Sequence, residues 1–349
     1  MYIESLELLN YRNIEQLNLN FSKGTNILYG DNAQGKTNIL EALFMISTTK
    51  SHRGVKDRDL IRFGEEEAHI RSVIMKKGID YRVDMHLRKN RSKGIAIQGQ
   101  RIRKASQLIG LLHIVFFSPE DLSIVKEGPS GRRRFLDIEL CQLDASYLYD
   151  LNNYNRVIEQ RNRFLKDMRT DQASAESMLD VLDEQLLSYG RKIIERRRRF
   201  IDALGDDIGR IHENLTGGKE TLLISYEPNV SEDDFEEKLR NNRRQDIYQK
   251  ISGTGPHRDD FSFYVISGVD DPIDVRRFGS QGQQRTCALS LKLSEIETVR
   301  ALTGEDPVLM LDDVLSELDR NRRMDASSER RCCHFLPLFP FNVLIFNIG

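Results

Sequence analysis

The residues best suited to chemistry form a short glycine-containing run near the amino terminus. The phosphate-binding pattern G-x-x-x-x-G-K-S/T is matched by Gly30-Asp31-Asn32-Ala33-Gln34-Gly35-Lys36-Thr37. Glycines at both ends let the backbone curl so that its N–H groups point at phosphate oxygens. We expect Lys36 to reach the β- and γ-phosphates and the Thr37 hydroxyl to hold Mg²⁺. The run therefore predicts a nucleoside triphosphate site.

Two predicted elements position this loop. Residues 25–29 have the composition of a short strand that ends at the loop, and residues 38–45 that of a helix that follows it. The positive N-terminus of such a helix faces bound phosphate. Strand, loop and helix in this order are the context that the motif requires.

An acidic pair near the carboxyl end has the pattern of a Walker B motif. Residues 307–311 are an apolar strand that delivers Asp312 and Asp313 at its end. Asp312 is expected to hold Mg²⁺ through water. Asp313 lies where the acid that polarises the attacking water belongs.

A third motif precedes a predicted helix over residues 286–301. Ser280, Gly282 and Gln283 would supply a hydroxyl, bare backbone N–H groups and the positive end of a helix dipole. These are the requirements of a second phosphate contact, although serine and glycine are also common as ordinary helix caps.

Composition narrows the class of protein. The 349 residues suffice for one large domain or two ordinary ones, and 52 basic against 54 acidic residues give a net charge of −2. The near-neutral charge neither requires nor excludes a basic face for nucleic acid. No apolar run is long enough to cross a bilayer, and the four cysteines lack metal or disulfide spacing. We expect a cytoplasmic protein.

The pattern of elements predicts an α/β fold interrupted by helices. Alternating segments over residues 68–102, separated by charged turns, predict an antiparallel β subdomain beside the nucleotide-binding sheet. Residues 147–168 and 179–203 repeat apolar positions at steps of three and four, across a polar break. This pattern predicts an antiparallel helical hairpin whose seam includes Arg161 and Arg196.

Clusters of basic residues are candidates for contacts with DNA. They are the turn that contains Arg53 and two arginine runs, Arg132-Arg133-Arg134 and Arg197-Arg198-Arg199. A solvated basic surface is the alternative explanation for each.

The motifs together resemble the RecF family, bacterial recombination and repair ATPases related to SMC proteins. The resemblance extends from Met1 to about Arg323. Besides the phosphate loop it rests on residues 10–13, 50–53, 117–121, 132–135, 255–260, 279–285 and 311–319.

The resemblance implies an ABC-type ATPase head, with a parallel core sheet and an antiparallel β subdomain, formed by residues 1–122 and 252–349. It implies an inserted helical lobe over residues 123–251. Family members are slow ATPases that bind single-strand/double-strand DNA junctions and, with RecR and RecO, help load RecA at gaps. The resemblance also implies an ATP-dependent homodimer, in which Ser280 and Gly282 close on the partner's γ-phosphate, and Arg12 as a nucleotide contact.

Two other functions share the motifs. The ATP-binding subunit of a membrane transporter has the same three motifs, but here a basic helical lobe separates Thr37 from Ser280. A clamp that binds ATP to dimerise without turnover differs from the repair ATPase only in its rate of hydrolysis.

The carboxyl terminus departs from the family pattern. After Arg323 the expected helix, switch residue and closing strands are replaced by a run that includes Cys332, Cys333, Pro337 and Pro340. We interpret this tail as a different reading frame or a sequencing artefact, and expect a poorly soluble chain with slow hydrolysis. Deleting residues 327–349 is expected to improve solubility without further loss of activity. The alternative is a genuine strand over residues 342–346.

Overall fold

A computed structural model describes residues 1–29, 34–167, 172–268, 271–312 and 343–346, without the side chains of 172–175 and 343–346. The structure has the mixed α/β architecture that the sequence predicts. The chain forms two compact units, one made of Met1–Asp121 and Glu295–Gly349 and the other of Leu122–Ser294. Each unit has its own sheets and is described separately.

The elements of the first unit come mostly from the amino-terminal third of the chain. They are β1 (Tyr2–Tyr11), β2 (Ile14–Asn20), β3 (Thr25–Leu28), α1 (Lys36–Thr48), β4 (Glu67–Lys76), β5 (Ile79–Arg88), β6 (Arg91–Ile97), β7 (Gln100–Arg101) and β8 (Ile114–Phe117). The second unit follows with α2 (Leu122–Lys126), α3 (Pro129–Leu143), α4 (Ala145–Asp167), α5 (Gln172–Thr216), β9 (Thr221–Glu227), α6 (Phe235–Asn241), α7 (Arg243–Gln249), β10 (Asp260–Ile266), β11 (Ile273–Asp274), α8 (Val275–Phe278) and α9 (Gln281–Thr303). The division between the units falls inside α9, and the first unit resumes with β12 (Val308–Asp312) and β13 (Val343–Phe346).

The antiparallel β subdomain is a six-stranded sheet in the order β2-β1-β4-β5-β6-β7. Its strands alternate between a buried face and a solvent face, as the period of two along the sequence predicts. In β5, for example, Val83, Met85 and Leu87 are buried, whereas Asp84 and His86 between them are partly exposed. The prediction of an antiparallel sheet in this region is confirmed.

The parallel core is a four-stranded sheet in the order β3-β13-β12-β8, in which all three neighbouring pairs are parallel. Strand β8 is a short apolar run that is buried along its whole length, and β12 is apolar up to Asp312. Continuous apolar sequence is typical of parallel strands that are covered on both faces. Helix α1 packs against β8 and β12 in the same unit.

The position of β13 corrects the interpretation of the carboxyl-terminal tail. Val343–Phe346 forms a strand between β3 and β12, paired with both. The genuine strand that the sequence analysis ranked second is therefore present, and these residues do not lack a partner. A strand of four residues is too short to show a periodicity of its own. Its sequence alone therefore could not distinguish it from an apolar segment without regular structure.

The second unit contains the predicted helical hairpin. Arg161 in α4 pairs with Asp183 in α5 at 2.7 Å, and Arg196 in α5 pairs with Asp150 in α4 at 2.6 Å. Arg161, in the later part of α4, pairs with the earlier residue of α5, whereas Asp150, in the earlier part of α4, pairs with the later one. The two helices therefore run antiparallel. Arg161, which lies on the seam, is fully buried and also contacts Asp246 at 2.7 Å.

The predicted boundaries of the head and the helical lobe stay a prediction. Residues 252–294 group with the second compact unit. The reason is strand pairing, because β10 lies antiparallel to β9 along seven residue pairs, and β11 extends the same sheet. Among the helices of the described residues, none is long and apolar enough to cross a membrane.

Candidate nucleotide-binding site

The described part of the phosphate loop, residues 34–37, shows why glycine is required at position 35. Gly35 has φ of +91° and directly precedes α1. A Cβ atom placed there would lie 2.9 Å from Oδ1 of Asn13 and 3.3 Å from Cγ1 of Ile14. The left-handed backbone and the close approach of the β1–β2 turn both exclude a side chain. Gly30, Asp31, Asn32 and Ala33 lie outside the described residues.

Lys36 and Thr37 are the first two residues of α1. The cap residue is a glycine without a side chain, and no acidic residue lies in the first turn. The N-terminus of this helix therefore offers its positive dipole end, and its own first turn holds no carboxylate side chain. Lys36 and Thr37 are half-buried, and Gln34 is exposed. The predicted residues 34–37 are thus placed where an anion would bind.

Asp312 ends β12 at the same edge of the parallel sheet. It pairs in register with Phe346 of β13, which pairs with Leu28 of β3. Two strand spacings, roughly 10 Å, therefore separate the backbone of Asp312 from the strand that leads into the phosphate loop. This is a suitable distance for a carboxylate that reaches a magnesium ion on the phosphates through water. Asp313 lies outside the described residues.

Arg12 is held by a buried carboxylate that the sequence analysis did not identify. Its Nε and Nη2 each donate to Glu41 of α1 at 2.8 Å, and its Nη1 donates to the carbonyl oxygen of Asp59 at 3.1 Å. Glu41 is completely buried and also accepts from the Ser51 hydroxyl. Burial opposes ionisation of Glu41, but the hydrogen bonds from Arg12 and Ser51 outweigh it and lower the pKa of the carboxyl.

This ion pair fixes the turn after β1 to the helix after the phosphate loop. Arg12 remains partly exposed, with 20% of its side-chain surface accessible, and it stays a predicted nucleotide contact. The sequence does indicate that Glu41 is unusual, because it is the one charged residue between Ile39 and Ile46. A charge on a buried helix face requires a partner, which that pattern could have indicated.

The motif before α9 forms a reciprocal helix cap in the second unit. The backbone N–H of Gln283 donates to Oγ of Ser280 at 3.2 Å, and that of Ser280 donates to Oε1 of Gln283 at 2.8 Å. Nε2 of Gln283 donates to Glu220 at 2.8 Å. Ser280 and Gly282 are exposed. Among the described residues, a Cβ at Gly282 would meet Oγ of Ser280 alone, at an ordinary contact distance of 3.8 Å.

Two of the arginines predicted to contact DNA are buried, and the prediction is wrong for them. Arg132 forms a bidentate pair with Asp260, at 2.6 and 2.8 Å. Arg197 donates to Asp137 at 2.7 Å, to Asp259 at 3.1 Å and to the carbonyl oxygen of Pro256 at 2.6 Å. Each side chain is 2–3% exposed, so neither guanidinium can reach a phosphate without unfolding its surroundings.

The remaining arginines of these clusters reach the surface to different degrees. Arg134 and Arg53 are exposed, and the Arg199 side chain is 75% exposed beside Glu195. Arg198 pairs with Glu232 at 2.7 Å and is 42% exposed. Arg133 is half-buried and donates to the carbonyl oxygen of Asp259 at 2.8 Å. Arg53 lies beside the start of α1, with Nη1 at 3.5 Å from Oδ1 of Asn38.

Known proteins match this chain over most of its length. Residues 2–329 match the family model described as "RecF/RecN/SMC N terminal domain". A relative from Lachnospira eligens named "DNA replication and repair protein RecF" is 55% identical over 324 residues, which cover 93% of this chain and 88% of the relative.

Solved structures agree with the sequence match. The recombination mediator protein RecF in the RecFOR pathway, solved with ATPrS, is 33% identical with a TM-score of 0.88 and covers 100% of this chain and 92% of its own. The same mediator solved with ATP is 34% identical with a TM-score of 0.86, covering 99% and 93%. The family model ends before β13, whereas the structural likeness includes it.

Proposed function

The chain belongs to the RecF family of proteins with an SMC-type N-terminal domain, and from this premise we propose that it is an ATP-dependent DNA-binding protein of replication and recombinational repair. Relatives that are 43–55% identical over 93% of the chain are named for DNA replication and repair, and a structural relative is described with ATP. In the proposed function, ATP binding controls when the protein holds DNA.

The observation that supports this proposal best is the shape of the turn at Gly35. The space for a Cβ at Gly35 is filled by Asn13 and Ile14, and α1 starts at Lys36 with no acidic residue in its first turn. A helix that begins in this way presents the positive end of its dipole, which favours a polyphosphate. Asp312 lies at the same sheet edge, in register with the strand before the loop.

The proposed chemistry is slow hydrolysis of ATP to ADP and phosphate. Lys36 would neutralise the β- and γ-phosphates, while Thr37 and Asp312 would hold Mg²⁺ directly and through water. Asp313 would polarise the attacking water. Because these groups position charge rather than form covalent bonds, the reaction depends on closure of the site.

Closure is proposed to come from a second copy of the chain. Ser280, Gly282 and Gln283 would meet the γ-phosphate bound to the partner's phosphate loop. Two facts support this assignment: the exposed hydroxyl of Ser280 caps a 23-residue helix, and among the described residues a Cβ at Gly282 would meet Oγ of Ser280 alone, at 3.8 Å. A glycine that its own chain does not require is explained by the close approach of another molecule.

DNA binding is proposed to be electrostatic and independent of sequence. Arg134, Arg199 and Arg53 are exposed, and Arg198 is partly exposed, whereas Arg132 and Arg197 are excluded by burial. Contacts with phosphates give affinity without base recognition, so single-strand/double-strand junctions would be distinguished by shape. Together with RecR and RecO, the dimer would help load a recombinase at gaps.

The decisive test separates ATP binding, dimerisation and turnover. We expect the wild-type chain to bind ATP, to sediment as a dimer with ATP, and to release phosphate slowly in a single-turnover assay. Ser280→Arg should bind ATP normally and remain monomeric, because a bulky cation blocks the face that meets the partner. The matched control, Ser92→Arg, lies at an exposed position of β6 and should dimerise as the wild type does.

The outcomes distinguish the alternatives. Dimers of Ser280→Arg would remove this motif from the proposed interface. Dimerisation without any release of phosphate would identify a clamp that does not hydrolyse ATP. A chain that binds ATP but never retains DNA would favour a transporter-type subunit over a repair protein.

The DNA contact is tested by charge reversal at exposed and control positions. Arg134→Glu and Arg199→Glu should weaken binding to a junction and reduce the slope of log affinity against log salt by roughly one unit per lost phosphate contact. Arg240→Glu is the control, since Arg240 is 70% exposed and pairs with Glu236 on α6. Equal losses in all three variants would indicate a general effect of net charge and no specific surface.

A further inference from the structure

The solvent face of the six-stranded sheet contains a pair of histidines directly opposite each other. His69 of β4 and His86 of β5 are partners in the antiparallel register. Their rings are stacked, with centroids 3.9 Å apart and planes inclined by 22°. Residues opposite each other on neighbouring strands project from the same face, so this contact is fixed by the backbone of two ten-residue strands.

A carboxylate lies in front of both rings. Glu67 is two residues before His69 on β4 and therefore projects from the same face. Its Oε2 is 2.9 Å from Nε2 of His86, and its Oε1 is 3.7 Å from Nε2 of His69. One ligand atom from each of the three residues lies within 4.8 Å of the others. In a tetrahedral zinc site with bonds of about 2.1 Å, ligand atoms are roughly 3.4 Å apart.

We propose that Glu67, His69 and His86 form a binding site for one divalent transition-metal ion of the Zn²⁺ class. Two imidazoles and one carboxylate are the ligand set of zinc sites that keep a fourth position open. The two strands supply the pairing that brings the ligands together, so only side-chain rotations are needed to reach bonding distance. The ion would fasten β4 to β5 from the solvent side.

The surroundings leave room for the fourth ligand. His69 and His86 line a cavity of about 520 Å³ on this face, together with Gln16, Asn18 and Arg101. A water molecule, or an oxygen of a further ligand, can therefore complete the coordination.

Arg88 limits the affinity of the site. Its Nη2 lies 2.8 Å from Nδ1 of His86, and an arginine can only donate, so Nδ1 is the acceptor. Nε2 of His86 then carries the proton and donates it to Glu67. Binding of Zn²⁺ at Nε2 requires the proton to leave this atom and Nδ1 to become the N–H, which has no acceptor in Arg88. The structure thus predicts that replacing Arg88 strengthens the site.

The test is a titration of the full-length protein with zinc chloride alone, after treatment with a chelator and without nucleotide or DNA. The starting protein carries Cys332→Ser and Cys333→Ser, because two adjacent thiols would bind zinc by themselves. We expect one saturable equivalent of Zn²⁺, a higher melting temperature with zinc, and d–d absorption bands on addition of Co²⁺.

Variants locate the ion. His69→Gln and His86→Gln should each abolish saturable binding, whereas Glu66→Gln, an exposed neighbour that pairs with Lys89, should leave it unchanged. Arg88→Gln should bind Zn²⁺ roughly tenfold more tightly, since it removes a cation and offers an amide oxygen to Nδ1–H. Retention of the equivalent by a His69→Gln/His86→Gln double variant, or no saturable binding by the starting protein, would overturn the proposal.

Discussion

Helix α1 and helix α9 each begin at a glycine-containing turn, and the two glycines lie in opposite surroundings. Gly35, before α1, has φ of +91° and faces Asn13 at a distance that no Cβ atom tolerates. Gly282 lies at the second position of α9, and among the described residues a Cβ there would meet Oγ of Ser280 at an ordinary contact distance of 3.8 Å. The first glycine is required by its own chain, and the second is not.

This difference separates two kinds of functional residue. The turn at Gly35 is formed by contacts inside the first unit, so a change there alters both folding and nucleotide binding. The start of α9 is already stable through the reciprocal cap of Ser280 and Gln283. Changes at its exposed side therefore affect only what approaches from outside, which is why we assign it to contact with a partner.

The largest effect on folding and ATP binding is expected from removal of β13, because the parallel sheet beside the Gly35 turn depends on this strand. Deleting residues 342–349 takes away the strand between β3 and β12 and leaves both with unpaired backbone groups. We expect loss of cooperative thermal unfolding and of ATP binding, measured by circular dichroism and nucleotide titration. Deletion of residues 347–349 alone, which stops after the strand, is the control. A fully folded, ATP-binding 342–349 deletion would show that the sheet does not need this strand.

The next effect in size concerns Lys36. Lys36→Ala should weaken ATP binding roughly 10–100-fold, because a charge-assisted hydrogen bond is worth about 1.5–3 kcal/mol and each 1.4 kcal/mol is tenfold. The melting temperature without nucleotide should change little, since the side chain is only half-buried. Fluorescence titration with a nucleotide analogue measures the change, and Lys56→Ala at an exposed lysine is the matched control. Unchanged affinity would remove Lys36 from the site.

The two glycines can be compared directly by the same substitution. Gly35→Ala should lower the free energy of unfolding by ~1–2 kcal/mol through its left-handed backbone, with further loss from the contact with Asn13. Gly282→Ala should stay within ~0.5 kcal/mol of the wild type in urea unfolding. The comparison fails if Gly282→Ala destabilises the chain by more than 1 kcal/mol, roughly the scale of an ordinary point mutation.

The smallest effect is the pH dependence of the Arg12–Glu41 pair. The pKa of Glu41 is lowered in the folded chain, so its contribution to stability is present above the unfolded pKa of about 4.3 and is lost as the pH falls through the folded value. The stability difference between wild type and Glu41→Gln should therefore be constant from pH 8 to pH 5 and shrink below about pH 4.3. Urea unfolding at pH 6.5 and in acid measures it.

The control for this measurement lies at α9. The Thr286 hydroxyl donates to the carbonyl oxygen of Gly282 at 2.9 Å, and neither group is charged, so the difference between wild type and Thr286→Val should not show the same acid dependence. The partly buried His257 has its pKa lowered to about 4, chiefly by burial, so the folded chain loses stability as the pH falls from 6.5 toward 4. That loss is common to all variants and cancels in the differences. An equal acid dependence at Thr286 would mean that Glu41 is not its source.

The sequence by itself determined the features that depend on local order. A strand, a glycine turn and a helix follow one another at fixed spacing around Lys36, and the apolar strand before Asp312 is also local. The alternation in β4 and β5 predicted an antiparallel sheet with one buried face. These predictions are confirmed because periodicity records which side chains share a face.

Only the tertiary structure decided which arginines are available to a ligand. Arg132 and Arg134 are two residues apart on one helix, yet the first is buried against Asp260 and the second is exposed. Arg197 and Arg199 divide in the same way, because Arg197 meets Asp137 and Asp259. The partners of Arg132 and Arg197 lie about 60 residues or more away in sequence, so a basic run does not reveal which of its members are buried.

The carboxyl-terminal strand and the ion pair of Glu41 with Arg12 both depend on neighbours that are far away in the sequence. Val343–Phe346 becomes a strand because β3 and β12 lie on either side of it, and those neighbours come from opposite ends of the chain. Glu41 is tolerated in an apolar helix because Arg12 arrives from the turn after β1. The local sequence specifies which helices and strands form. Neighbours that are distant in the sequence decide which buried charges find an ion-pair partner and which short segments pair as strands.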